Sequence, residues 1–243
     1  MPHFDIVIPV GPNDTEVIRE QLEYTKRNIV GYRNIYLLYK DTSLQIEGCT
    51  TVSENSFPVT IETVAKYHGK SNRNGWYLQQ LLKLYASRII PGILETYLVL
   101  DSDTFFLKPT IFIENNKPMY AHGKEYHLPY FNHMLRLNPS FKRVDTRSGI
   151  CHHMIFQKKY IDEIFNIVES KHGQPFYETF LKQVSSYDYL YSGASEYELY
   201  FNYMIQNHPS EIIIRQLQWQ NVPRLSNSNT NDYESIHWYI RKS

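Results

Sequence analysis

Cysteine is nearly absent from this 243-residue chain, which has 2, Cys49 and Cys151. Two are too few for a disulfide framework and fit no zinc-binding spacing, so both read as structural thiols of a reducing compartment. Charge of either sign is not in excess: Lys plus Arg and Asp plus Glu both total 25. That balance excludes a global field drawing the chain to nucleic acid or an anionic membrane, and leaves any phosphate recognition to local groups. No apolar run reaches the roughly 20 residues that cross a bilayer. The opening MPHFDIVIPVGPND has no basic leader and breaks its apolar run at Pro9, so it reads as a strand rather than a signal peptide. No glycine-rich linker and no internal repeat divides the sequence. These absences leave the expectation of a soluble, cytoplasmic, single domain over residues 1–243, and 42% hydrophobic with 15% aromatic residues suffices for a full core.

Apolar patterning predicts a buried strand over residues 4–10, stopped by the turn Gly11-Pro12-Asn13-Asp14. A helix follows, with Ile18, Leu22, Thr25 and Ile29 recurring on one face. Strands over 35–39 and 50–52, a helix over 75–90 carrying Leu78, Leu81, Leu82 and Tyr85 on one side, and a strand ending in Asp101 complete the first half. Strand, helix, strand, helix, strand describes an α/β chain with a mostly parallel central sheet flanked by helices. Beyond it come apolar runs at 111–120 and 154–168, a helical segment over 176–184, and a helix over 196–206 with Tyr197, Tyr200, Phe201 and Met204 on one face. Residues up to about 110 then form a nucleotide-side half, and residues 111–243 a half facing a second substrate. The polar stretch NSNTN, residues 227–231, reads as mobile.

The chemistry concentrates in YLVLDSDTFFL, residues 97–107. On a strand, Asp101 and Asp103 project to the same side with Ser102 between them. Two like charges with apolar flanks call for a positive partner. A hard divalent cation, Mn²⁺ or Mg²⁺, binds through one or two carboxylates and completes its shell with water and a diphosphate. Open α/β sheets hold their ligands outside the carboxyl ends of the strands, where these acids fall. Lys70 and Arg73 precede a helix start that Asn72 or Asn74 can cap, which makes them a second contact for a diphosphate. Gln79, Gln80 and Lys83 lie on the other face of that helix and can point either way; Gln80 is counted as a candidate donor contact. Ser195 and Glu198 have the S-x-x-E spacing of a capping box, which gives Glu198 a structural job. Glu196 has none, and its first-turn position favours the ionised form that suits a general base. His237, following the polar stretch, is a candidate nitrogen ligand for the metal. His152 and His153 are neighbours on a strand, so at most one lines a site.

The segments FDIVIPVGP, NGWYLQQLLKLYA, VLDSDTFFL, SGICHHMIF and SEYELYFNYM, with the His237-Trp238 pair, span most of the chain in that order. On them the sequence resembles the nucleotide-sugar-dependent glycosyltransferases of GT-A (Rossmann-like) fold, and more closely a group of small bacterial and viral proteins related to them. The resemblance implies that Asp101, Ser102 and Asp103 hold Mn²⁺ or Mg²⁺ against the donor diphosphate and touch its ribose, and that His237 completes the metal shell. It implies that Pro9, Val10 and Gly11 hold the base and ribose of a UDP- or GDP-linked sugar. Glu196 or Glu198 then serves as base in an inverting transfer to a glycan hydroxyl, and the SGICHH segment, with His152 and His153, contacts the acceptor. Two other readings stand beside this one. A non-catalytic nucleotide- or glycan-binding module uses the same acids for metal but shows binding without turnover. A haloacid-dehalogenase-type phosphohydrolase also ends a strand in D-x-D, but its first one; here the acids come after about a hundred residues, and Phe105 stands where that pattern has Thr.

Overall fold

The computed structural model describes residues 4–226 and 230–241. In the first half β1 (Phe4–Pro9), α1 (Ile18–Asn28), β2 (Tyr32–Tyr39), β3 (Thr50–Ser53), α2 (Ile61–His68), α3 (Asn74–Ile89) and β4 (Thr96–Leu100) follow one another. The predicted elements fall within a few residues of these bounds, except that α2 carries no clear apolar period and was not predicted. Its ends are nonetheless marked: Thr60 accepts a hydrogen bond from the Thr63 amide at 3.3 Å, and Gly69 terminates the helix at φ 73°. The second half holds α4 (Leu128–Leu137), β5 (His153–Gln157), α5 (Lys158–His172), α6 (Phe176–Lys182), α7 (Glu196–Asn207) and the short α8 (Trp238–Arg241). The apolar run at 154–168 is therefore two elements, β5 passing directly into α5 at Lys158.

The central sheet has the order β5-β4-β1-β2-β3. Strands β1 to β4 are parallel, and β5 joins the edge of β4 antiparallel. This is the expected α/β fold with a mostly parallel sheet. All six residues of β1 are buried, and Ile6, Val7, Ile8, Leu37, Leu98 and Val99 have no exposed surface. Near-continuous apolar strands of this kind belong to a sheet covered on both faces. Each such side chain contributes about 1.5–3 kcal/mol on burial. The chain runs outward from β1 through β2 to β3, then returns to lay β4 on the other side of β1. That reversal is a topological switch point, and the crevice outside the carboxyl ends of β1 and β4 is where such sheets take their ligands. The turn after β1 carries Asp14 to this crevice and the end of β4 carries Asp101.

Two pairings place further residues there. His153 of β5 lies opposite Leu100, so His152 comes beside Asp101, whose amide donates to the His152 carbonyl at 2.9 Å. The strand Thr104–Phe106 pairs antiparallel with Tyr233–Ser235, and the Ile236 amide donates to the Asp103 carbonyl at 2.8 Å. This brings the C-terminal segment back over the acidic turn. Of the stretch expected to be mobile, residues 227–229 lie outside the described residues, whereas the Asn231 side-chain amide donates to Glu234 at 2.8 Å. No helix among the described residues is long and apolar enough to cross a membrane.

Candidate active site

A cavity of about 410 Å³ opens at the switch point. Five carboxylates line it, from Asp14, Asp101, Asp103, Glu125 and Glu196, against two permanent cations, Arg73 and Lys83. Asp101 and Asp103 flank the turn that ends β4 rather than lying within the strand, yet both reach the cavity, with Ser102 between them. The Ser102 hydroxyl donates to Asp14 Oδ2 at 2.8 Å, tying the two strand ends together. Asp14 also accepts from Arg241 Nη2 on Oδ1 at 2.5 Å. Burial and the neighbouring Asp103 charge together hold the Asp14 carboxyl above its ordinary range, despite Ser102 and Arg241.

Lys83 is the hinge of the electrostatics. It sits on α3 among Leu81, Leu82 and Leu84, and its ammonium donates to Asp101 Oδ1 at 2.6 Å and to Glu196 Oε1 at 2.7 Å. Burial alone pushes the ammonium pKa down, but the two carboxylates outweigh it and the net shift is upward. Burying an ion costs several kcal/mol, and removing one partner of a buried pair costs about 3–5 kcal/mol, so these contacts are needed for the lysine to be there at all. On the other side, Lys83 and His152 hold the Asp101 carboxyl well below the usual carboxylate range against the opposing effect of burial. Tyr197 adds its hydroxyl to Asp101 Oδ1 at 2.9 Å.

Glu196, the first residue of α7, is 3% exposed and lines the cavity. Its amide donates to Gln80 Oε1 at 3.1 Å. Burial raises its carboxyl pKa, Lys83 pulls it back, and Asp101 adds to the rise; the net is upward, which improves it as a proton acceptor. Glu198 is built differently. Ser195 caps α7 by accepting from the Glu198 amide at 3.2 Å, as the capping-box spacing predicts. The Glu198 carboxylate does not face the cavity: it accepts from the Ser148 hydroxyl at 2.5 Å and from Asn202 at 2.9 Å. Its role is to fasten the 148–151 segment to α7.

His237 comes over the acidic turn, its Nδ1 2.9 Å from Asp103 Oδ2. Burial lowers the imidazole pKa, but Asp103, Asp101 and Asp14 outweigh burial and raise it. Two expected neighbours part company: His152, at φ 61°, lines the cavity with its ring 4.8 Å from that of His237, whereas His153 is buried between Phe106, Phe112 and Tyr233. Only one of them reaches the site, as expected, but for another reason: His152 lies just outside β5 in a left-handed conformation that turns its ring to the cavity, and His153, the first residue of the strand, is buried and not available as an acceptor contact.

The basic pair divides as well. Arg73 lines the cavity, hydrogen-bonds Ser192 and stacks over Trp76 with its guanidinium carbon 4.8 Å from the ring centroid. Lys70 is exposed and lines a separate open groove with Tyr67, His68 and Tyr189, because Gly69 turns the chain away before α3 begins. Neither Asn72 nor Asn74 caps α3; the Arg73 amide bonds Ser71 Oγ at 3.1 Å, and Asn74 donates to the Gly69 carbonyl at 2.9 Å. Pro9 and Val10 are buried in and just after β1, and with Gly11 they stand back from the cavity wall, which the first turn reaches through Asp14. Gln80 lines the cavity while supporting Glu196. Sequence reasoning missed Asp14, Tyr197, Glu125 and Trp219. Asp14 had a signal, since it closes the turn after the first strand of an α/β sheet; the others had none beyond their residue type.

Among the described residues, no group of three or more His, Cys, Asp or Glu stands ready to hold a metal ion. Asp101 is engaged by Lys83 and Asp103 by His237.

The fold and the cavity thus define an α/β protein with an acid-lined cavity at the switch point of its sheet. The chain belongs to a family of unknown function, DUF6492, which matches residues 41–240. No curated protein matches the sequence. Among solved structures it is similar to mouse xyloside xylosyltransferase 1 in its apo form, at 11% identity and a TM-score of 0.43, covering 96% of this chain and 97% of that one. It is also similar to a glycosyltransferase involved in glycosylation of the major capsid of PBCV-1, at 14% identity and a TM-score of 0.44, covering 97% and 94%.

Proposed function

We propose that the chain is a glycosyltransferase that moves a sugar from a nucleoside-diphosphate sugar to a hydroxyl of a glycan, with inversion at the anomeric carbon. The observation that carries this reading is the convergence of Asp101, Asp103 and Glu196 on one cavity at the switch point of the sheet. A carboxylate pair for a cation and diphosphate thus shares a cavity with a buried acid suited to take a proton.

Asp101 and Asp103 offer the hard oxygens that Mn²⁺ or Mg²⁺ prefers, once their contacts with Lys83 and His237 give way. Asp14 is paired with Arg241, and the other four carboxylates, Asp101, Asp103, Glu125 and Glu196, outnumber Arg73 and Lys83, which leaves the cavity short of positive charge. Asp101, Asp103 and His237 would hold the ion through hard oxygens and an imidazole. Bound there, it neutralises charge on the departing diphosphate.

The remaining work falls to side chains. Arg73 supplies a fixed positive charge at the cavity wall for the phosphates. Glu196 accepts the proton of the acceptor hydroxyl as that oxygen attacks the anomeric carbon, and the upward shift that burial gives its carboxyl makes it the better base. Trp76, Tyr130 and Trp219 line the wall, and aromatic side chains there suit contact with sugar rings. Direct displacement by the activated hydroxyl inverts the configuration.

The test is a donor panel of UDP- and GDP-sugars with Mn²⁺, following release of nucleoside diphosphate and the anomeric configuration of any product. Turnover that Glu196→Gln reduces by about 10²–10⁴-fold is expected. Tight nucleotide binding with no turnover of any donor, hydrolysis included, identifies a binding module instead.

A further inference from the structure

Asp101 already holds a cation. Lys83 Nζ lies 2.6 Å from its Oδ1, Tyr197 donates to that same oxygen at 2.9 Å, and His152 Nδ1 stands 3.5 Å from Oδ2. The ammonium is equally close to Glu196, at 2.7 Å, so one positive charge is shared between the acid expected to face the metal and the acid expected to take the proton. Lys83 is 2% exposed and lines the cavity, where its ammonium meets both carboxylates. A flexible four-carbon stem lets an ammonium change partners within a few ångströms. The charge that Lys83 brings to Asp101 is the charge a divalent ion would bring to the same oxygen.

We propose that Lys83 is a built-in competitor of the divalent metal at Asp101: it keeps Asp101 and Glu196 together in the free protein, and cedes Asp101 to the ion as a nucleoside diphosphate enters, its ammonium turning to the phosphates. This rests on the glycosyltransferase reading and deepens it, making metal and donor binding conditional on each other. The competition has two consequences. Without nucleotide, metal binding is weak because Lys83 must be displaced. With nucleotide, the displaced ammonium finds a new anionic partner, so each ligand tightens the other, and by linkage the enhancement is reciprocal.

The experiment measures Mn²⁺ affinity by the loss of the free-ion paramagnetic resonance signal, with no sugar donor and no turnover, then repeats it with UDP or GDP. The wild-type chain is compared with Lys83→Gln, which removes the charge but keeps a polar side chain of similar volume, and with Lys83→Arg, which keeps the charge. A neighbouring charge alters a carboxylate's cation affinity by one to three log units in the case of the proton, so K83Q is expected to bind Mn²⁺ about tenfold or more tightly than wild type. K83R is expected to match wild type or bind more weakly. Nucleotide is expected to strengthen Mn²⁺ binding less in K83Q than in wild type. Equal or weaker Mn²⁺ binding by K83Q overturns the inference and leaves the glycosyltransferase reading standing. Tightening by K83R as large as by K83Q also overturns it, since loosened packing then explains the gain. Absence of Mn²⁺ and nucleotide binding in every variant removes both.

Discussion

The Nδ1 of His237 and a carboxylate oxygen of Asp103, 134 positions apart in the chain, stand 2.9 Å from each other. Nothing local makes that contact. It arises because Tyr233–Ser235 pairs with Thr104–Phe106, the Thr104 and Ser235 hydroxyls meet at 2.8 Å, and Arg241 reaches back to the Asn13 carbonyl at 3.0 Å and to Asp14. The C-terminal segment is thereby fastened across the ends of β1 and β4. His237→Ala should lower Mn²⁺-dependent nucleotide affinity by about 10–100-fold, the usual loss when a residue at or next to a metal ligand is removed. Isothermal titration with and without Mn²⁺ checks this, and equal affinity in both proteins would take His237 out of the site.

Glu196 and Glu198 are separated by substitution. Glu196→Gln is expected to leave nucleotide affinity within a few fold while donor turnover falls by about 10²–10⁴-fold. Glu198→Ala takes the acceptor from the buried Ser148 hydroxyl and leaves the Asn202 amide only the residue-198 carbonyl, at a cost of about 1–3 kcal/mol, seen as a lower melting temperature. Turnover per folded molecule should survive in that variant, and a selective loss of turnover would return Glu198 to the chemistry.

Gly149 has no room for a side chain. An added Cβ would lie 2.6 Å from both the Phe201 Cβ and the Tyr197 carbonyl, on α7. Gly149→Ala should destabilise by about 1–3 kcal/mol through overpacking, a drop of roughly 2–12 °C in melting temperature. Because Tyr197 holds Asp101, nucleotide affinity should fall as well. A melt matching wild type would contradict the packing described.

Much of this was legible in advance, for identifiable reasons. The parallel sheet follows from apolar runs alternating with a 3.6-residue period, and the switch point follows once the strand order is known. The place of Asp101 and Asp103 on the cavity was readable because acids just past an apolar strand of an open α/β sheet fall at its carboxyl end. Lys70 misled because closeness to a helix start in sequence does not say which way a side chain faces, and Gly69 sends it to the other side. Lys83 gave no direction because its helix is apolar on nearly every side, with Tyr77, Leu78, Leu81, Leu82, Leu84 and Tyr85 all buried. Only its distant partners, Asp101 and Glu196, decide where the ammonium goes. The target of Glu198 was hidden for the same reason, since Ser148 lies 50 positions away.

Acid should loosen the fold through two histidines. Burial pushes the imidazoles of His133 and His153 down to about 3, so both are native in the neutral form. In the unfolded chain they take up protons near pH 6.5. Their contribution is therefore complete above about pH 6.5 and is lost as pH falls from there towards 3. Between pH 7 and pH 5 this amounts to about 2 kcal/mol for each. Urea denaturation at the two pH values checks it. His133→Gln, which retains a donor for the Phe180 carbonyl that His133 Nε2 bonds at 2.9 Å, should show a smaller loss than wild type. An equal loss in both would contradict the assignment.

The central claim is that the acidic turn at the end of β4 binds a nucleoside diphosphate together with a divalent ion. Titration of UDP and GDP into the wild-type chain and into Asp103→Asn, each with and without Mn²⁺, tests it most directly. The account predicts that one of the two nucleotides binds the wild-type chain far more tightly with Mn²⁺ and that Asp103→Asn abolishes the metal-dependent gain. Binding that ignores both the metal and the substitution would contradict it.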